Sequence, residues 1–311
     1  MERNIIPGDF NDENLKYLYM SVQLGTMRAA ADAFGVSPSS VSRQISHLEK
    51  TLGIDLVEKR SHKFKLSEAG KYVYEYYKER LVYKEVLFTN LDDLKGMRAG
   101  HYTLAVGEGF ISTVLLSTLE AYIQKFPNVR LEIITAGTHE VISMVSEDIA
   151  HIGFVFEPPA DPRIRVKFAI EQSLKAVVSP DHPLALQKAV SLKDLIEFPL
   201  ILPREAFRIR AVLRKVEQQE EIQLMPSIAT NSILLMRELV KSTQGVTIIS
   251  ELSIVDELDS GDLVAIPINN KELQETKAEV ITRLGRVLPS GAQVMLNILS
   301  NVMSRWNQDH P

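Results

Sequence analysis

The sequence predicts an α/β protein preceded by a separate block of short helices, on three observations. Residues 13–70 break into short amphipathic segments at glycines, residues 71–94 read as one long helical stretch, and beyond residue 100 strand-like apolar runs alternate with helical ones. A chain of 311 residues exceeds what one small core organises, so at least two domains are expected.

The first helix starts at Asp12, carries Leu15, Leu18 and Val22 on one side, and stops at Gly25. The alanine-rich run Met27–Phe34 forms the second and ends at Gly35. Ser37 and Pro38 open the third. Serine is a favoured N-cap, and proline suits the first helical position, where its missing N–H would have had no partner. Gly53 closes that helix.

On the wheel of the third helix, Val41, Ile45, Leu48 and Leu52 fall on one face, which must pack inward. Ser39, Arg43, Ser46 and Lys50 lie opposite, with Ser42 and His47 at the edges. Short hydroxyl side chains let a helix sit deep in the major groove, and arginine makes a bidentate contact to guanine. Ile54–Val57 and Phe64–Leu66 then read as two short strands around the turn KRSHKFK. That turn holds Lys59, Arg60, His62, Lys63 and Lys65 and no acid, and it suits a wing over phosphates. The net charge of −5 is unusual for a nucleic-acid binder, but phosphate affinity depends on where the cations lie.

From Ser67 and Glu68 a long helix runs to about Leu94, with Val73, Tyr77, Leu81, Phe88, Leu91 and Leu94 forming a narrow apolar seam that suits a dimer helix. Lys95-Gly96 and Ala99-Gly100 mark a boundary. Strands are expected at Tyr102–Val106, Arg130–Thr135, His151–Phe156, Leu174–Val178, Leu200–Leu202, Ser227–Ala229, Val246–Ile249 and Glu279–Thr282. Between them lie helices at Ile111–Lys125, Glu140–Val145, Ile209–Gln219 and Ser232–Lys241, with a last one at Gly291–Trp306. The pattern reads as a parallel α/β arrangement.

The absence of cysteine removes disulfides, thiolate metal sites and cysteine nucleophiles. Histidines without ligand spacing and the lack of a GxSxG elbow argue against zinc and serine hydrolysis. Gly107-x-Gly109 imitates a dinucleotide fingerprint but lacks its third glycine. No cofactor and no catalytic or metal residue is expected. No window reaches the roughly 18 apolar residues of a membrane helix, and the polar start is unlike a secretory signal, so a cytoplasmic protein without a membrane partner is expected.

The stretch LKYLYMSVQLGTMRAAADAFGVSPSSVSRQISHLEKTLGIDLVEKRSHKFKLSEAG closely resembles the N-terminal pattern of the LysR-type transcriptional regulators, without a gap. A looser resemblance continues through Phe126-Pro127-Asn128-Val129, Gly137, His182-Pro183-Leu184, Asp194-Leu195, Gly245-Val246 and Gly261-Asp262-Leu263. It implies a winged helix-turn-helix, a long dimerisation helix, and a two-lobed α/β effector domain similar to periplasmic solute-binding proteins. The ranges expected are 11–70, 71–98 and 99–311, with lobe one at 99–168 and 268–311 and lobe two at 169–267.

The resemblance further implies that Ser39, Ser40, Ser42 and Arg43 face the groove of double-stranded DNA and that Arg28 contacts phosphate. Ser37, His62 and Lys63 complete the expected DNA-binding set. It also implies a dimer of dimers. Pro38, Arg28 and His62 stand where the family commonly has glutamine, threonine and arginine, departures that bear on base preference. His151 stands where the family usually has aspartate.

Ligands of such sheets bind at strand carboxyl ends and helix amino ends. Glu108, Gly109, Phe110, Ser112, Thr138, Phe156, Pro203, Arg204, Thr230 and Asn231 are therefore the candidate effector residues. Arg204 could take a carboxylate and Glu108 an ammonium, which together would suit an amino acid or small carboxylate. The competing reading is a solute-binding module without a DNA role.

Overall fold

The computed structural model describes residues 12–58, 64–94, 100–205 and 207–309. The chain divides into two compact units, Met1–Phe88 and Thr89–Pro311. The N-terminal unit holds α1 (Asp12–Gln23), α2 (Met27–Phe34), α3 (Pro38–Leu52) and most of α4 (Glu68–Leu94).

The caps follow the sequence. Ser37 Oγ accepts from the Ser40 N–H at 3.3 Å with Pro38 in the first turn. Thr26, not anticipated, caps α2 by accepting from the Ala29 N–H at 3.0 Å. Gly35 closes α2 at φ +64°, a conformation in which a side chain would be strained. Leu15, Leu18, Ala31, Val41, Ile45, Leu48 and Leu56 make the core, with Leu52 half-buried at its margin.

Two expectations for this unit need correction. In place of two strands around the wing, a single antiparallel bridge joins Val57 to Leu66. The bridge is made by the Ser67 N–H to the Leu56 carbonyl and the Glu58 N–H to the Lys65 carbonyl, both 2.9 Å, and it goes no further because Glu49 Oε1 takes the N–H groups of Leu56 (2.8 Å) and Val57 (3.2 Å). On α4, Val73 and Tyr77 pack against the N-terminal core, so the expected seam is partly used within the unit. The outward apolar row is Tyr72, Tyr76, Tyr83 and Leu87, with Phe88 and Leu91 beside it.

The C-terminal unit runs β1 (Gly100–Val106), α5 (Thr113–Lys125), β2 (Val129–Thr135), α6 (Thr138–Ser146), β3 (Ile152–Phe156), β4 (Ile164–Glu171), β5 (Leu174–Val178), α7 (Leu192–Leu195), β6 (Leu200–Pro203), α8 (Arg208–Glu220) and β7 (Pro226–Thr230). It continues with α9 (Ile233–Ser242), β8 (Thr247–Ser250), α10 (Val255–Ser260), β9 (Val264–Pro267), α11 (Lys271–Gln274), β10 (Lys277–Arg283) and α12 (Ser290–Asp309). One lobe is built on a five-stranded sheet of order β2-β1-β3-β10-β4, the other on β8-β5-β9 and β6-β7.

The sheets are mixed rather than parallel throughout. β1 pairs in parallel with β2 and β3, and β6 with β7, whereas β10 lies antiparallel to β3 and β4 and β5 antiparallel to β8 and β9. The reason is the route of the chain: β4 leaves the first lobe and β10 re-enters it, so the two run side by side in opposite directions. The crossings meet where the Gln172 N–H donates to the Thr276 carbonyl (2.8 Å) and Thr276 Oγ1 to the Gln172 carbonyl (2.6 Å); α11 (Lys271–Gln274) separates this point from the expected return at residue 268. β4 and β9 were not among the expected strands, although Ile164, Val166, Phe168 and Ile170 alternate with other side chains at strand period.

Candidate functional site

In the N-terminal unit, α3 turns Ser39, Ser42, Arg43, Ser46, His47 and Lys50 outward while Val41, Ile45 and Leu48 are buried. Ser37 Oγ bonds both Ser39 Oγ and Ser40 Oγ at 2.9 Å, so three of the expected serines share one hydroxyl cluster at the head of the helix. Ser40 is the half-buried member. Arg43 lies along the helix with Nε donating to the Ser39 carbonyl at 3.4 Å, and Arg28 is exposed on α2. His62 and Lys63 lie outside the described residues. Lys65, at the near edge of the wing, pairs with Glu58 at 2.9 Å.

In the C-terminal unit a cleft opens between the two lobes. Its inner part, about 50 Å³, is lined by Glu108, Gly109, Phe110, Thr138 and Phe156 of the expected set, together with Phe207, Arg208, Ser250 and Ser253. An outer part of about 950 Å³ shares Glu108, Ala136, Gly137 and Phe207 with it and adds Pro203, Arg204 and Asn231. Eight of the ten expected residues are thus brought together. Ser112 and Thr230 are not among the lining residues. Ser112 is buried at the head of α5, and Thr230 Oγ1 accepts from the Ser232 N–H at 3.1 Å as a local cap.

Among the described residues, the side chains of Glu108, Ser253 and Arg208 tie the lobes across this cleft. Glu108 Oε1 accepts from Ser232 Oγ at 3.0 Å and from the Leu234 N–H at 3.4 Å, so a carboxylate of the first lobe caps α9 of the second. Ser253 Oγ donates to the Gly109 carbonyl at 2.8 Å. Arg208 Nε donates to the carbonyl of Glu157, a residue held at φ +42° where β3 ends. The first contact corrects one expectation: Glu108 is engaged within the chain and does not stand open to an ammonium group.

The family model described as "Bacterial regulatory helix-turn-helix protein, lysR family" matches residues 13–71, and the one described as "LysR substrate binding domain" matches residues 95–304. The chain belongs to the LysR family of transcriptional regulators. It is a DNA-binding regulator with an effector domain, and not an enzyme. Among its relatives, the HTH-type transcriptional activator CmpR of Synechocystis is 23% identical, over 88% of this chain and 90% of that protein. A probable RuBisCO transcriptional regulator of Cyanidioschyzon merolae is 25% identical, over 80% of this chain and 84% of its own.

In fold, this LysR-family chain is similar to a full-length OxyR variant from Pseudomonas aeruginosa (TM-score 0.66, 16% identity, 94% of each chain). It is also similar to full-length CbnR in complex with its target DNA (TM-score 0.54, 19% identity, 94% of this chain and all of that one, 100%). Among the described residues, no helix is long and apolar enough to cross a membrane.

Sequence reasoning passed over Arg208, Ser250 and Ser253, though the rule that found the others applies to them. Arg208 opens α8, Ser250 is the last residue of β8, and Ser253 follows it. Placing the helix start at residue 209 and the strand end at residue 249 was enough to hide them.

Proposed function

We propose that Ser39, Ser42 and Arg43 read base edges in the major groove, with Arg28, Ser37, Ser40, His62 and Lys63 orienting the module on the backbone, and that a small effector binds between the lobes. In this reading residues 11–70 form the reader, 71–98 the dimer helix and 99–311 the sensor, with lobes near 99–168 plus 268–311 and at 169–267. The protein works in the cytoplasm on chromosomal DNA. The single observation that carries the reading is α3 itself, a helix with Val41, Ile45 and Leu48 buried on one face and the other face small, hydroxylated and cationic.

The outward row Tyr72, Tyr76, Tyr83 and Leu87 supports self-association through α4, because exposed apolar rows of this kind are normally covered by a partner. Two paired reading modules fit two half-sites, and a dimer of dimers fits two such pairs. Effector binding shifts the population of lobe arrangements and so the spacing of the reading modules.

A footprint on the DNA upstream of the protein's own gene tests the first claim. Affinity should fall steeply with salt, as phosphate contacts release counterions. Arg43→Ala should cost about 1–3 kcal/mol and relax preference at one base pair. Full retention of specificity in Arg43→Ala would remove Arg43 from the groove.

A further inference from the structure

Among the described residues, three carboxylates and three guanidinium groups line the cleft, but they are not all paired with one another. Its carboxylates are engaged inside the chain. Glu108 caps α9, Glu140 accepts from the Gly137 N–H at 3.1 Å, and Glu205 pairs with Arg214 at 2.7 Å and Arg210 at 3.4 Å. Arg210 is held in turn by Glu217, through bonds of 2.9 and 3.2 Å. Two of the helix ends that face the cleft, those of α6 and α9, therefore already carry a carboxylate of the chain itself.

Arg204 and Arg208 remain. Among the described residues neither has a carboxylate within ion-pair distance, and the Arg204 side chain makes no hydrogen bond. The half-buried Arg208 gives only Nε, to the Glu157 carbonyl. Glu157, which lies beside Arg208, directs Oε1 to the Lys277 N–H at 2.7 Å instead. A guanidinium held partly out of water without a counter-charge is costly, and its donor fork matches a carboxylate or phosphate. Arg208 stands at the inner cavity and Arg204 at the outer cleft, with Phe207, which lines both, between them in the chain.

We infer that the effector is a small molecule with two anionic groups, carboxylate or phosphate, one held by Arg208 at the inner end of the cleft and the other by Arg204 at its mouth. This rests on the cleft being the effector site. Glu108 shapes the selection, since its carboxylate keeps an anion from the α9 end and directs it to the two arginines.

Calorimetry of the full-length protein at constant ionic strength tests the assignment, with acetate, malonate, succinate, inorganic phosphate and the neutral succinamide as probes. A dianion should bind at least tenfold more tightly than acetate or succinamide, and Arg204→Gln and Arg208→Gln should each weaken it about tenfold. Arg208→Lys, which keeps the charge without the fork, should recover part of the loss and guards against misfolding of the glutamine variant. A preference for succinate over phosphate, or the reverse, identifies the anionic group.

Equal binding of succinamide and succinate, unchanged affinity in both glutamine variants, or no anion binding below about 10 mM would overturn the inference. Ala136→Trp, which fills the cleft, separates this from failure of the site itself. Anion binding that survives Ala136→Trp overturns the cleft reading as well. A neutral probe that binds, and is lost in Ala136→Trp, overturns only the dianion.

Discussion

The two units expose their recognition chemistry in opposite ways. On α3 the groups proposed to meet DNA point outward, and their positions follow from a single helix over residues 38–52. In the cleft the polar groups come from five or more distant segments, and several already bond the opposite lobe: Glu108 to α9, Ser253 to the Gly109 carbonyl, Arg208 to the Glu157 carbonyl. The first site is a prepared face. The second is a joint whose ligand must compete with, or complete, contacts the chain makes with itself.

The contrast breaks most severely at the C-terminal unit's buried ion pair. Arg210 and Glu217 are both buried, and Glu217 also accepts from the Leu224 N–H, so the pair anchors the turn between α8 and β7. Glu217→Ala leaves the buried guanidinium with only the exposed Glu205 at 3.4 Å and the Leu224 carbonyl at 3.4 Å, and should cost about 3 kcal/mol. Urea unfolding should show the loss in the C-terminal unit only, with the footprint on DNA retained. A loss of DNA reading to the same degree would mean that the units do not unfold separately.

The corresponding break in the N-terminal unit is steric. A Cβ on Gly70 would stand 2.0 Å from the Leu56 carbonyl oxygen, which is backbone and cannot move aside cheaply. Gly70→Ala should therefore destabilise the reading module by about 3 kcal/mol and abolish the footprint, while calorimetric binding in the cleft persists.

These two substitutions also mark what was legible in the sequence. The reading module was legible almost throughout, because its caps, breaks and buried stripe are local: Ser37-Pro38, Gly35, and Val41, Ile45 and Leu48 each announce their role within a few residues. The missing wing strands depend on Glu49, whose carboxylate reaches seven and eight residues ahead, and no period reveals that. In the sensor, strands and helices were visible by alternation, but the antiparallel return of β10 depends on where the chain goes between residues 172 and 276. The lining of the cleft was largely found from strand ends and helix starts. That Glu108 would be engaged, and Arg208 left open, depends on segments more than fifty residues apart.

A smaller effect sharpens the contrast at the joint. Ser253→Ala removes the hydrogen bond to the Gly109 carbonyl and should cost about 1 kcal/mol. Because the contact crosses between lobes, the expected signature is faster amide hydrogen exchange around residues 107–112 and 250–254, with the rest of both lobes unchanged. Uniform acceleration across the C-terminal unit would make Ser253 a general core residue instead of part of the joint.

The smallest effect is a dependence on pH in the C-terminal unit. His182 is buried against Phe198, with ring centroids 4.4 Å apart, and its Nδ1 accepts from the Leu184 N–H at 3.1 Å. Burial opposes the charged ring and holds its pKa below the ordinary imidazole value of 6.5. Above that value the ring is neutral both folded and unfolded, and the contribution to stability is fully present. As the pH falls below it the unfolded ring takes up a proton first, and stability declines until the folded ring is protonated too. His182→Asn keeps a side-chain acceptor for the Leu184 N–H but does not titrate. Urea unfolding of the C-terminal unit between pH 7.5 and 5 should accordingly lose part of its slope in that variant, and an unchanged slope would assign the pH dependence to other groups.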